Sequence, residues 1–159
     1  MRRVQALCLT ALALFTLLCG CAGEEAKTPV PYTGSDARAI VEAGACDGAM
    51  EEVDAFIVSV LYGIPEGSIT ECVGFLAINT SVSADEVTVL VLTDEAAAQA
   101  AEEACRQRVE RQIADCTSYC PDQVPRLEDA VILRRGSTVL LAVGNPENLP
   151  GTLETLGLN

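Results

Sequence analysis

The chain contains no histidine and no tryptophan, and only three tyrosines and three phenylalanines occur among its 159 residues. Without an imidazole, the catalytic arrangements that use histidine as a general base are excluded. Lys27 is the only lysine, so the rest of the chain has none for a Ser–Lys pair or a Schiff base. So few aromatic side chains leave little to stack against sugars or bases. We therefore predict a protein that is not an enzyme and that carries no cofactor.

The charge is strongly negative, with 10 Lys and Arg residues against 23 Asp and Glu residues and a net charge of −13. Arg2 and Arg3 precede the first acidic residue, so beyond residue 20 there are 8 basic and 23 acidic side chains, a net charge of −15. Such a surface repels the phosphates of nucleic acids, so we exclude nucleic acids as partners. It is also repelled by anionic lipid headgroups, so we expect the body of the protein to stand away from the bilayer.

The N-terminal segment has the pattern of a secretory signal. Arg2 and Arg3 are followed by an apolar run over residues 4–18, which is shorter than the roughly 20 residues that span a bilayer. The run ends in Leu18-Cys19-Gly20-Cys21, which resembles the lipobox of bacterial lipoproteins. That resemblance implies cleavage after residue 20 and a diacylglycerol thioether, with acyl chains such as palmitate, on Cys21. It places the protein on the extracytoplasmic face of the cell membrane, attached through its lipid.

The remaining chain divides into a tether and one domain. Residues 21–34 contain Pro29, Pro31 and two glycines and predict a flexible tether, leaving residues 35–159 as a single domain. In the domain we predict helices over residues 35–44 and 50–61, a strand pair over 71–80 and 86–93, and a long helix from residue 93. A second strand pair follows over 130–135 and 138–144, with a short helix after Asn145 that Pro150 breaks. These two ββα units predict an α+β fold with a four-stranded, mainly antiparallel sheet and helices on one face.

Several short motifs recur in an order that resembles a known family. They are the lipobox, Leu61-Tyr62-Gly63-Ile64, Ala84-Asp85-Glu86, Tyr119 with Pro121, and the hairpin at Gly136. Together they resemble domain-of-unknown-function family 4358, small lipoproteins of Gram-positive, Clostridia-like bacteria, over residues 35–156. The resemblance implies a lineage, a location and an α+β domain, and it implies no mechanism.

The cysteines are the best candidates for chemistry. Beyond Cys21, five remain: Cys46, Cys72, Cys105, Cys116 and Cys120. Because their number is odd, at least one is unpaired in a monomer. Three interpretations remain open: inert buried thiols, structural disulfides, and redox or metal use. Within a continuous helix a bridge between Cys116 and Cys120 is strained, but Pro121 indicates that the helix frays there. With no histidine and no CxxC pair, we predict no metal site.

Acidic pairs and two tyrosines are the remaining candidates. We interpret the carboxylate clusters, including Asp85-Glu86, chiefly as a solvated face, since none has the spacing of a calcium loop. Tyr62 and Tyr119 each follow a helix and either close the edge of the core or contribute to a surface for partners. Tyr62, Asp85, Glu86 and Tyr119 are thus the candidate interaction surface.

The sequence therefore predicts a non-catalytic binding module of the cell envelope. Its partner is an unidentified envelope protein or a small ligand. The alternative is a thiol-based redox or metal-binding protein that uses Cys116 and Cys120.

Overall fold

The computed structural model describes residues 29–159, and the predicted signal, Cys21 and most of the tether lie outside that range. The helices are α1 (Gly34–Glu42), α2 (Ala55–Tyr62), α3 (Glu95–Tyr119), α4 (Val124–Glu128) and α5 (Leu149–Leu156). The strands are β1 (Met50–Val53), β2 (Ile69–Ala77), β3 (Glu86–Leu92), β4 (Val131–Arg135) and β5 (Thr138–Val143). Short 3₁₀ turns occur at Glu66–Ser68 and Pro121–Gln123. The predicted mixture of helices and antiparallel strands is confirmed.

The sheet has five strands rather than the predicted four, in the order β1-β2-β3-β5-β4, and every neighbouring pair is antiparallel. The additional strand β1 was predicted to be the start of a helix, because Met50 and Val53 have helical spacing. Asp54 separates the two elements. Its side chain accepts a hydrogen bond from the backbone N–H of Ile57 (2.9 Å), so the helix begins after it.

Helices cover both faces of the sheet, so the prediction of helices on one face is wrong. The central strands β3 and β5 are buried along almost their whole length. On one face Val87, Val89 and Leu140 pack with α1 and α5, and on the other Leu90 and Leu141 pack with α2 and α3. A strand that is apolar on both faces needs a layer on each side, and the two ββα units β2-β3-α3 and β4-β5-α5 supply one each.

The spacing of Phe56, Ile57, Val60 and Leu61 predicts that these residues form the buried side of α2, but the structure exposes most of that side. Phe56 and Val60 are 57% and 64% exposed, whereas Val58 and Tyr62 are buried. The helix is apolar almost throughout, so its periodicity did not distinguish the two faces.

Local signals at the helix ends and turns are largely confirmed. Asp94 caps α3 by accepting from the N–H of Ala97 (2.8 Å), and Gly63, at φ 70°, ends α2. Gly136, at φ 58°, lies in the two-residue turn of the β4–β5 hairpin. Pro150, in contrast, does not break the last helix. It lies in the first turn of α5, where its missing N–H has no helical partner to lose.

The folded part of the chain includes Tyr32, which the predicted tether contains. Tyr32 is buried, and its hydroxyl donates to the carbonyl of Leu158 (2.9 Å) while its N–H donates to Thr138 Oγ1 (2.9 Å). The Arg135 guanidinium lies 4.5 Å from the centroid of the Tyr32 ring. The N-terminal segment is thus tied to the C-terminal end of the domain.

Among residues 29–159, no helix combines the length and the apolar character needed to cross a bilayer.

Candidate functional site

A cleft of about 580 Å³ lies between the β2–β3 connection and the C-terminal half of α3. Its walls come from the end of β2, the connecting residues, the start of β3 and one side of the long helix. The lining includes Leu76, Ala77, Thr80, Ser81, Ser83, Ala84, Asp85, Glu86, Arg108, Gln112, Asp115, Cys116, Tyr119 and Cys120. Three of the four predicted interaction residues and both cysteines of the predicted pair therefore meet here.

Glu86 is one of two deeply buried carboxylates of the lining, with a side chain only 1% exposed; Asp85 is the other. The Glu86 Oε2 atom accepts from Arg108 Nη2 (3.1 Å) and from Gln112 Nε2 (3.0 Å). Arg108 and Gln112 are four residues apart on α3, so both reach the same carboxylate from one face of the helix. Glu86 starts the central strand β3, and the cleft is therefore built onto the most buried part of the sheet.

This polar group is incompletely satisfied. Glu86 Oε1, Arg108 Nε and Gln112 Oε1 are all buried and have no hydrogen-bond partner among the described residues. A buried polar atom without a partner typically costs about 1–3 kcal/mol. Unsatisfied buried groups are rare in folded proteins and therefore call for an explanation, and pairing with a ligand is one.

Tyr62 is buried next to Glu86 and Thr88 and not on a surface, so its assignment to an interaction surface is wrong. Its side chain is buried and its hydroxyl donates to Thr88 Oγ1 (2.8 Å). Burial and, secondarily, the neighbouring Glu86 carboxylate raise the pKa of Tyr62 well above its usual value. The alternative that this tyrosine closes the core is the one that the structure supports.

Asp85 and Glu86 are both buried, which contradicts the interpretation of this pair as a solvated face. Asp85 accepts from the N–H of Asp47 (2.9 Å) and forms an ion pair with Arg126, which also pairs with Asp47. The hydrogen bonds from Asn145 and then Arg126 lower the pKa of the Asp47 carboxyl. Asp85 thus holds three distant segments together beside the cleft.

The rim of the cleft is formed by Tyr119 and a disulfide. Tyr119 is 86% exposed, so its ring is accessible at the edge of the cleft. Cys116 and Cys120 are bridged, with their Cα atoms 4.4 Å apart. The bridge is accommodated because α3 ends at Tyr119 and Cys120 leaves the helical conformation, with φ −147° and ψ 61°.

The other three cysteines of the described chain are free thiols. Burial raises the pKa of Cys46 and of Cys105 to about 12 and that of Cys72 to about 11. A thiol must ionise to act as a nucleophile or metal ligand, so these three are poorly suited to either role. Within the described chain, no group of three or more acidic or cysteine side chains is placed to hold a metal ion.

Sequence reasoning did not identify Arg108 and Gln112. Both border the apolar stripe of Cys105, Val109 and Cys116 on α3. Their spacing of four residues places them on one face of the helix, and it was the only indication of their grouping in the sequence. Their partner Glu86 is more than 20 residues away in sequence, which is why the grouping was not visible.

Comparison with known proteins identifies the family of the chain. Residues 44–144 match the model described as Domain of unknown function (DUF4358), and the chain belongs to that family. No curated protein and no solved structure matches the chain.

Proposed function

We propose that this member of the family is a non-catalytic binding module of the bacterial cell envelope, and that the cleft above Glu86 is its ligand site. The observation that carries the proposal is the buried group of Glu86, Arg108 and Gln112, which lines an open cleft and keeps unpaired hydrogen-bonding atoms. A concave site with a few convergent polar groups is the usual form of a ligand pocket.

A lipid anchor is the second part of the proposal. The apolar run and the lipobox-like Leu18-Cys19-Gly20-Cys21 support attachment through Cys21 to the outer face of the cell membrane. Two acyl chains give the stable attachment that one chain does not. A Gram-positive, Clostridia-like origin is also part of the proposal, and it rests on the order of short motifs that resembles domain-of-unknown-function family 4358.

The choice of binding over catalysis rests on the composition and on the cleft. The chain has no histidine, its one lysine is Lys27, and the three free thiols have pKa values raised by burial to about 11–12. The Glu86 carboxylate is already engaged by Arg108 and Gln112. Such a site is suited to recognising a ligand by charge and hydrogen bonds.

The test is photocrosslinking in intact cells with a photoreactive residue in place of Tyr119, at the rim of the cleft. The matched control places the same residue at Glu110, which is also exposed on α3 but lies on the opposite side of the helix from Arg108 and Gln112. We expect an adduct of one reproducible mass at position 119 and none at position 110. Equal labelling at both positions, or none at either, would contradict the proposal.

A thiol-based redox role is the second candidate, and the disulfide in the wall of the cleft favours it. In that reaction a partner dithiol gives two electrons and two protons to the disulfide, yielding two thiols and an oxidised partner. Reduction by excess dithiothreitol followed by exposure to oxidised glutathione tests it. Rapid reoxidation of Cys116 and Cys120 would support a redox role. A bridge that resists reduction in the folded protein would identify it as structural.

A further inference from the structure

We propose that the ligand of this cleft carries a primary ammonium group on an aliphatic stem. The inference rests on the proposed binding function and specifies the chemistry of the ligand. Three independent features of the cleft lead to it: its unbalanced charge, its excess of hydrogen-bond acceptors and its apolar rim.

The charge of the lining is negative because one carboxylate is not compensated. Arg108 pairs with Glu86, and Asp85 pairs with Arg126. The exposed Asp115 side chain forms neither an ion pair nor a hydrogen bond with any other residue between 29 and 159. One turn of α3 separates it from Gln112, so its charge lies on the same side of the helix as the buried group. A cation is therefore the favoured occupant.

The hydrogen-bonding atoms of the floor favour a donor-rich group. Glu86 Oε1 and Gln112 Oε1 are unpaired acceptors, whereas Arg108 Nε is the one unpaired donor among the buried side-chain atoms of the described chain. All three atoms are covered, so a ligand pairs with them only after the side chains of these lining residues shift. An ammonium group has three donors and no acceptor. It therefore complements the floor and the Asp115 carboxylate better than a carboxylate or phosphate ligand would.

The mouth of the cleft suits an apolar stem. Leu76, Ala77 and the Cys116–Cys120 bridge belong to its lining, and Tyr119 presents an almost fully exposed ring. An aliphatic chain can pack on these groups while a nearby cation is attracted to the face of the aromatic ring. A small, strongly hydrated metal ion would gain nothing from this part of the site.

The experiment compares three probes that share one stem and differ in the head group: n-pentylamine, pentanoate and 1-pentanol. Each is titrated into the full-length chain in detergent and followed by ligand-observed NMR in about 150 mM salt, where the Debye length of about 8 Å suppresses diffuse attraction. We expect n-pentylamine to bind, and pentanoate and 1-pentanol to bind at least about tenfold more weakly.

Paired charge-removing variants test the position of the site. Asp115→Asn removes a carboxylate from the lining, and Glu110→Gln removes one from the opposite side of the same helix. Both residues are exposed, so neither change threatens the fold. We expect Asp115→Asn to weaken n-pentylamine binding at least about tenfold and Glu110→Gln to change it less than about twofold.

The inference would be overturned if the amine and the alcohol bound with equal affinity, if pentanoate bound more tightly than the amine, or if no amine binding were detected. Equal loss of amine binding in the two variants would also overturn it. If any of these results is obtained but the adduct at position 119 still forms in cells, the binding function stands and only the ammonium ligand is rejected. Lack of both the adduct and amine binding would reject both proposals.

Discussion

At the scale of single residues, the buried carboxylates of Asp85 and Glu86 depend on two arginines for their charge balance. Adjacent carboxylates in a strongly acidic chain are ordinarily solvated, and the pair was interpreted so. Each is instead neutralised by an arginine that is distant in sequence, 41 residues from Asp85 and 22 from Glu86. Only the tertiary fold brings these charges together, so the residue types were identified and their roles were not.

The ion pair between Arg126 and Asp85 is expected to be a major contributor to stability. The Asp85 side chain is fully buried and that of Arg126 is 14% exposed, so Arg126→Ala leaves a buried charge without its partner. We expect the free energy of unfolding in urea to fall by about 3 kcal/mol, the lower end for such losses, because backbone N–H groups still donate to Asp85.

Arg38→Ala is the matched control for that measurement. Arg38 pairs with Glu52 at 2.6 Å, but both side chains are nearly half exposed, and exposed pairs contribute at most about 1 kcal/mol. Equal losses in the two variants would show that the Arg126 pair is not buried as described.

The three free thiols are expected to resist alkylation. With pKa values raised by burial to about 11 and about 12, their thiolate fraction at pH 8 is at least about 100-fold below that of an ordinary cysteine. Iodoacetamide labelling followed by peptide mass spectrometry should therefore modify Cys46, Cys72 and Cys105 only after unfolding. Rapid labelling of any of them in the folded protein would contradict the burial.

The same thiols predict the sign of an alkaline effect on stability. Their folded pKa values exceed the unfolded value of about 8.5. Their contribution to the free energy of unfolding is therefore complete below that pH and is lost as the pH rises towards 12. The urea concentration at the midpoint of unfolding should fall over this pH interval. When each protein is compared with its own midpoint at neutral pH, the fall should be smaller in the Cys46→Ala variant.

At the scale of helices and strands, end signals were more informative than periodicity. The acidic cap of α3, the glycine after α2 and the Gly136 turn depend on local backbone chemistry and were visible in the sequence. The start of α2, its buried side and strand β1 were not, since Met50 and Val53 fit a helical repeat equally well. Neighbouring strands decide such cases, and the local sequence does not contain that information.

Gly63 tests the importance of these end signals. Its φ of 70° lies in the left-handed region, so Gly63→Ala is expected to destabilise the fold by about 1 kcal/mol. Gly67→Ala is the control, because Gly67 has open space where a Cβ would lie and its φ is not positive. Thermal unfolding of both variants makes the comparison. A larger loss for Gly67→Ala would contradict the assignment of Gly63 as the helix terminator.

At the scale of the whole molecule, the class of fold was predictable and its layering was not. Two successive ββα units were identified from turns and apolar runs, which gave the antiparallel sheet. The helices were placed on one face from the succession of two ββα units, although the unbroken apolar character of β3 and β5 indicates burial on both sides. The position of the cleft could not be predicted from the class of fold or from its layering, because β3 and α3 come together there only in the folded chain.

In the proposed molecule a ligand cleft is joined to a lipid anchor, and one measurement tests that combination most directly. The full-length protein is extracted from its own membranes, and its intact mass is determined by native mass spectrometry. We expect a chain that begins at Cys21, carries a diacylglyceryl lipid and retains a small ligand that is released on activation. A chain that carries no lipid, or that shows no added mass beyond the lipid, would contradict this expectation.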